Sequence, residues 1–227
     1  MEGNMEKKPV KSYLGLVVML GAVWGLSEAA LGMYLKRCAS SVSGSMMTGV
    51  ALLFIAASWI LSRRVLGVAL LVVIASLFKV IDALLLSYPI LHGAIANPIF
   101  AFVTEAAAFL LIVTLIKEAL RQKPVGQALT GGMAALFAAN MFPLVRFATG
   151  IPACVVAGTG YPLSLYYIHF AILVSLVTVP IGFLVGSKLE DLALDISKTP
   201  AIQKLNYVLS PAALILCLII MALIRLV

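Results

Sequence analysis

Seven apolar runs, each about the length that crosses a bilayer as a helix, leave this chain few folds to choose from. They fall at about 13–35, 44–61, 65–88, 97–120, 127–145, 163–186 and 207–226. A helix needs roughly 20 apolar residues to cross the hydrocarbon core. Within lipid only helices and closed barrels satisfy every backbone N–H and C=O. A water-soluble fold of this length would leave a large apolar surface exposed. Of the residues, 63% are hydrophobic and 11% charged, against roughly 25% charged in soluble domains. The chain reads as a single all-α integral membrane domain over 1–227, a bundle of six to seven transmembrane helices. Its parts are a cytoplasmic tail (1–12), a six-span core (13–186), an amphipathic cytoplasmic linker (187–206) and a seventh span (207–227).

The first run is too long for a signal-peptide core of roughly 7–15 residues, so it is expected to be retained. A net charge of +7 could suggest nucleic acid. The placement of the cations favours loops facing an anionic inner leaflet instead. With the N-terminus inside, eleven of the sixteen Lys and Arg fall on the inner side. Four (Lys36, Arg37, Arg146, Arg225) fall outside, and Lys79 lies within a span. The expected topology is a multi-pass cell-membrane protein with N-terminus cytoplasmic and C-terminus extracytoplasmic. The three cysteines form no CxxC and no metal-type spacing. Cys38 and Cys154 both fall in outer connections, where a disulfide is one option and inert thiols the other.

The charges that interrupt the apolar runs are not scattered in depth. On this topology Glu28 lies in the outer half of span 1, and Lys79 and Asp82 lie outward of centre in span 3. Asn97 and Glu105 are near the outer end of span 4, whose Asn97-Pro98 step looks like its N-cap and first residue. Asn140 and Arg146 end span 5, and Tyr166, Tyr167 and His169 open span 6. A charge at the bilayer centre costs at least about 3 kcal/mol on insertion scales, so such groups face the bundle interior, pair, or line water. Lys79 and Arg146 can together balance Glu28, Asp82 and Glu105, and Asp82, three residues from Lys79, is one candidate partner for it. The belt as a whole predicts a cavity open to the outside above a hydrocarbon interior. The connection over 146–162 (RFATGIPACVVAGTGYP), rich in Gly and Pro, is either a lid over the bundle or a surface loop. In 187–206, Leu189, Leu192, Ala193 and Ile196 recur at helical spacing, which suits a short helix on the membrane surface.

Two further patterns stand out. Gly21, Gly25 and Ala29 share one face of span 1, which lets another backbone approach closely. That face serves either packing within the chain or docking of a partner. Ser27-Glu28-Ala29-Ala30 is echoed by Thr104-Glu105-Ala106-Ala107, which raises an inverted 3+3 repeat relating spans 1–3 to spans 4–6.

The compact basic-tailed bundle, the small-residue face and the outward cavity resemble the membrane-embedded substrate-binding (S) subunits of energy-coupling factor vitamin transporters, over spans 1–6. The resemblance implies a solute site near the outer surface and a membrane coupling subunit docked at Gly21, Gly25 and Ala29. The seventh span, with its C-terminus outside, departs from the usual six-span pattern. No ligand contact transfers from so degenerate a motif.

The expected function is transport: a small polar or charged solute bound in the outward cavity, on its own or as the substrate-binding subunit of a larger transporter. The expected contacts are Glu28, Glu105, Asn97 and Arg146, then Asp82, Lys79 and His169. No cofactor and no nucleic acid are expected. One alternative is an intramembrane metal- or haem-dependent enzyme or redox protein built on Glu28, Glu105, His92 and His169. Another is an accessory or assembly subunit without a ligand, whose belt would collapse into salt bridges. No GxSxG, HExxH, Walker loop or GxGxxG supports a soluble-enzyme class.

Overall fold

The computed structural model describes the backbone over 10–35, 40–156 and 158–226, with side chains over 13–32, 43–156, 158–199 and 204–225. The helices in order are α1 (Val10–Leu35), α2 (Ser40–Ser62), α3 (Val65–Leu85), α4 (Gly93–Leu115), α5 (Glu118–Arg121) and α6 (Pro124–Met141). A 3-10 turn (Phe142–Leu144) follows, then α7 (Val145–Thr149), α8 (Leu163–Tyr166), α9 (Ile168–Lys198) and α10 (Pro200–Leu226). Among the described residues the β structure is a single isolated bridge between Val155 and Pro162. Seven helical stretches are long and apolar enough to cross a membrane: α1 to α4, α6 continued through α7, α9 and α10. The expected all-helical bundle is therefore present, with all seven apolar runs helical.

Two boundaries differ from the expectation. Helix α4 starts at Gly93 rather than at Asn97-Pro98. His92 is its N-cap, with extended backbone and Nδ1 accepting the Ala94 N–H at 3.2 Å. Pro98 consequently sits inside the helix, where its missing N–H deprives the Ala94 carbonyl of its regular donor. The expected surface helix in 187–206 is instead the last part of α9, which runs unbroken from Ile168 to Lys198. No Gly or Pro lies between Gly186 and Pro200 to stop it. Its apolar stripe packs on protein: Ala193 and Ile196 join the main core with Leu189 against them, while Leu192 is exposed.

The main core gathers Leu52, Ile55, Leu71, Phe109 and Val179, all fully buried. Its most extensive interface is α2 against α9, with α6 on the other side of α9. Small residues set that spacing. A Cβ on Gly186 would stand 2.7 Å from the Ala57 carbonyl oxygen, and one on Gly182 would meet that of Leu53. Such backbone-to-backbone packing is a recurrent way of joining helices in lipid.

Helix α1 runs along both α3 and α10. A second core of Ala29, Ile74, Phe78, Cys217 and Met221 fills the space between the three. The small-residue face of α1 is used here. A Cβ on Gly21 would lie 2.9 Å from Ile74 Cβ, one on Gly25 would run into the Phe78 ring, and Ala29 is buried. Of the two roles expected for Gly21, Gly25 and Ala29, the face takes packing within the chain. Docking of a partner on it is thereby corrected, because α3 already occupies it. The packing does not follow a 3+3 repeat either: α1 lies along α3, whereas α4 and α9 share no comparable interface.

The two ends of the bundle differ in chemistry. At one end Arg64 lies over the Tyr13 ring, Arg63 faces Glu190 at 3.9 Å, and Arg121 pairs with Glu118 and donates to the Val113 carbonyl at 2.6 Å. At the other end, where α3 gives way to α4, the bundle opens.

Candidate functional site: a charged cavity at the α3–α4 end

The opening is a cavity of about 300 Å³. Helical spacing explains how the chain builds its walls. On α4, Asn97, Ala101 and Glu105 recur every four residues and share one face, and all three line the cavity. On α3, Lys79, Asp82 and the following Leu86 do the same at spacings of three and four. Helix α1 contributes Glu28, one turn beyond Trp24. The Trp24 ring is fully buried and packs on Phe102 (4.8 Å between centroids) and Phe54 (6.3 Å). Phe102 lines the cavity as well, so the cluster reaches the wall through Phe102, with Trp24 and Phe54 packed behind it. Helix α2 adds Met47 and Thr48, and Tyr167, Phe142 and Cys154 complete the wall.

The polar side chains are deeply buried for charged groups: Glu28 is 2% exposed, Asp82 and Glu105 4%, Lys79 and Asn97 6%. Burial of this kind is tolerated when charges are paired. Lys79 Nζ lies 3.8 Å from Glu28 Oε2. Asp82 is held by Arg225 of α10 in a bidentate fork, with Nε to Oδ1 at 2.5 Å and Nη2 to Oδ2 at 2.6 Å. The candidate Lys79–Asp82 pair is thus replaced by two pairs between helices. Glu105 is different. Its carboxylate faces the Thr48 hydroxyl and is an electrostatic neighbour of Glu28, and no cation accompanies it among the described residues. Glu105 Oε2, Glu28 Oε2 and Asn97 Oδ1 are all buried without a hydrogen-bond partner.

No protein-family model, characterised protein or solved structure matches the chain.

Of the residues expected at the site, the structure brings together Glu28, Glu105, Asn97, Asp82 and Lys79. Arg146 and His169 do not join them. Arg146 is exposed on α7, and His169 is exposed at the start of α9 against the Phe170 ring at 4.1 Å. Their side chains are exposed and do not line the cavity. Three participants were not expected. Arg225 counted as an outer-side cation, Tyr167 only as a polar residue opening span 6, and Thr48 was not singled out. Arg225 carried a usable signal, since the topology that places Asp82 near the outer face places the end of span 7 at the same height.

His92 also lies outside the cavity. It is exposed, caps α4, and stacks on Tyr88 at 4.5 Å. The set of Glu28, Glu105, His92 and His169 is therefore not assembled. Among the described residues no three His, Cys, Asp or Glu side chains group as metal ligands.

The 146–162 connection contributes to the site. Gly150, at φ 74°, ends α7 in a left-handed conformation that favours glycine. The chain then folds back on itself, with Val156 N–H donating to the Tyr161 carbonyl and Leu163 N–H to that of Cys154, both at 2.9 Å. Cys154 reaches the cavity wall with an exposed free thiol. Its potential disulfide partner, Cys38, lies outside the described residues.

Proposed function

We propose that this chain is a multi-pass membrane protein that binds a small solute in the cavity at its α3–α4 end, as a transporter or as the substrate-binding part of one. A single observation carries the reading: one cavity of about 300 Å³ collects five buried polar side chains from α1, α3 and α4. Ligand sites share this anatomy, an enclosed and mostly apolar space with a few convergent polar groups. Charges inside a membrane bundle that line a cavity are functional by default. The accessory-subunit alternative expects a belt closed into salt bridges. A cavity flanked by Glu105, an acid with no cation beside it among the described residues, fits it poorly.

The cationic end, with Arg63, Arg64, Lys117, Arg121 and Lys123, belongs on the cytoplasmic side by the positive-inside rule. The cavity then opens to the extracytoplasmic side. The substrate-binding-subunit reading remains attractive for its outward site. Any coupling partner would have to meet a surface other than the Gly21–Gly25–Ala29 face.

The test is retention of a solute. Protein purified in mild detergent is denatured, and the released small molecules are identified by mass spectrometry. A compound present at close to one per chain is expected in the wild type and absent from the Glu28→Gln/Glu105→Gln variant. Equal recovery from both would end this site assignment. Access is tested separately in a Cys38→Ser/Cys217→Ser background. A membrane-impermeant maleimide should label Cys154 in intact cells, and labelling only after permeabilisation would reverse the orientation.

A further inference from the structure

Resting on the solute-binding reading above, we infer that the solute is an organic cation, a compound with a protonated amine or comparable nitrogen centre on a small apolar body, held by Glu105. Three observations converge on it. The first is charge. Glu28, Asp82 and Glu105 line the cavity with Lys79 and Arg225, and both cations are matched, Lys79 to Glu28 and Arg225 to Asp82. The remaining acid is Glu105. Buried beside a second carboxylate, it gains most from a cation supplied from outside.

The second is hydrogen-bonding capacity. Among the described residues, the unpartnered buried groups of the lining side chains are acceptors, one oxygen each of Glu28, Asn97 and Glu105, and the one unpartnered donor behind them is the Trp24 N–H beside Glu28. Its two cationic donors are the ones already matched. A ligand that fits must bring N–H donors rather than acceptors. A primary ammonium carries three, and each is strengthened when it meets a carboxylate. An anionic solute would instead meet the Glu28 and Glu105 carboxylates, and the donors open to it without disturbing an ion pair are neutral ones, on Asn97, Tyr88 and Tyr167.

The third is the shape and chemistry of the remaining wall. A bare metal ion takes six to eight oxygens in a tight shell. Here about 300 Å³ is enclosed largely by Met47, Ile95, Phe102, Phe142 and Tyr167. That is room for an apolar body, and the aromatic faces are themselves attractive to a cation. Glu105 and Phe102, three apart on α4, would contact the charged and apolar parts of one ligand. The site would therefore select for charge at one point and tolerate variation in the body.

The experiment uses the full-length chain in detergent micelles at constant ionic strength. Binding is measured by isothermal titration and by thermal unfolding. The probes are phenethylamine and n-butylamine; phenylethanol and n-butanol as neutral counterparts; phenylacetate and butyrate as anionic ones; and sodium and calcium chloride. At least one amine should bind about tenfold or more tightly than its neutral counterpart, the order expected of one charge-assisted contact. Glu105→Gln should remove that preference, Glu105→Asp should restore part of it, and Arg146→Gln, outside the cavity, should leave it unchanged. Preference for a neutral or anionic probe would overturn the cation assignment while leaving a solute cavity standing, as would amine binding indifferent to Glu105→Gln. Saturable binding of sodium or calcium in place of the amines would overturn it in favour of an inorganic ion. No binding by any probe, with no solute retained on purification, would remove both this assignment and the solute-binding reading.

Discussion

Glu28 and Glu105 share one wall and almost the same burial, yet replacing each with glutamine should have opposite consequences. Glu28 faces Lys79 at 3.8 Å, and both are almost wholly enclosed. Glu28→Gln leaves the ammonium buried without its counter-ion. Breaking a buried pair from one side costs about 3–5 kcal/mol, and the long separation places this one near about 3 kcal/mol. Among the described residues Glu105 has no cationic partner, and glutamine there removes a buried acid beside a second acid while keeping an acceptor for the Thr48 hydroxyl. The ligand-free Glu105→Gln protein should melt at the same temperature as the wild type or higher, while Glu28→Gln melts clearly lower. Thermal unfolding of the two variants in detergent checks this, and a lowered melting point for Glu105→Gln would mean that its carboxylate has a cationic partner. Such a contrast would be the mark of a site kept at some expense to stability. At this scale the sequence was informative about height and silent about direction. Counting along each span put Glu28, Lys79, Asp82, Asn97, Glu105, Arg146 and His169 at one level. The side a helix residue faces depends on its neighbours, and these turn the first five inward and leave Arg146 and His169 exposed.

Among the elements, α10 and α9 carry the sharpest expectations. The fork between Arg225 and Asp82 spans 143 residues of sequence, so the i,i+3 rule pointed to the nearer Lys79 instead. Local spacing identifies who can meet within a helix, and it carries no information about which helix stands opposite. Because the fork joins α10 to α3, Arg225→Met and Asp82→Asn should destabilise the protein by similar amounts. The double variant should lose distinctly less than the sum, with a coupling of about 1–3 kcal/mol in a double-mutant cycle. Additive effects would show that the two side chains do not act as a pair. On α9, the unbroken course through 187–198 was obscured by its polarity, because charged residues on one face resemble a surface segment whichever body covers the other face. Its junction with α2 should be intolerant of bulk. Gly186→Val places side-chain atoms against the Ala57 carbonyl and should cost about 1–3 kcal/mol or more. Gly160→Ala, with open space around it, should be close to neutral by the same melting assay.

For the molecule as a whole, the helical bundle was legible because runs of this length and apolarity have so few alternatives in lipid. The site was legible as a belt and became a cavity only through packing between helices distant in sequence. Orientation is the whole-molecule property most open to test. In the Cys38→Ser/Cys217→Ser background, Lys123→Cys and Lys188→Cys should react with an impermeant maleimide only after permeabilisation, and native Cys154 should react in intact cells. Labelling of all three from the same side would refute the seven-span topology.

The aromatic layer behind Phe102 has a consequence for how such a protein could work. Beneath Trp24 and Phe102 the interior is closed by Leu52, Phe109 and Val113, all without solvent exposure. The chamber is a cul-de-sac, and in this conformation a passenger that enters must depart by the door it came through. Delivery across the membrane would require helices to part. The glycine seam between α2 and α9 is poorly suited to that, because backbones already in contact have little freedom to slide. The hinge should be sought on the other flank, where α1, α3 and α10 meet through side chains rather than backbone and Arg225 serves as the bolt.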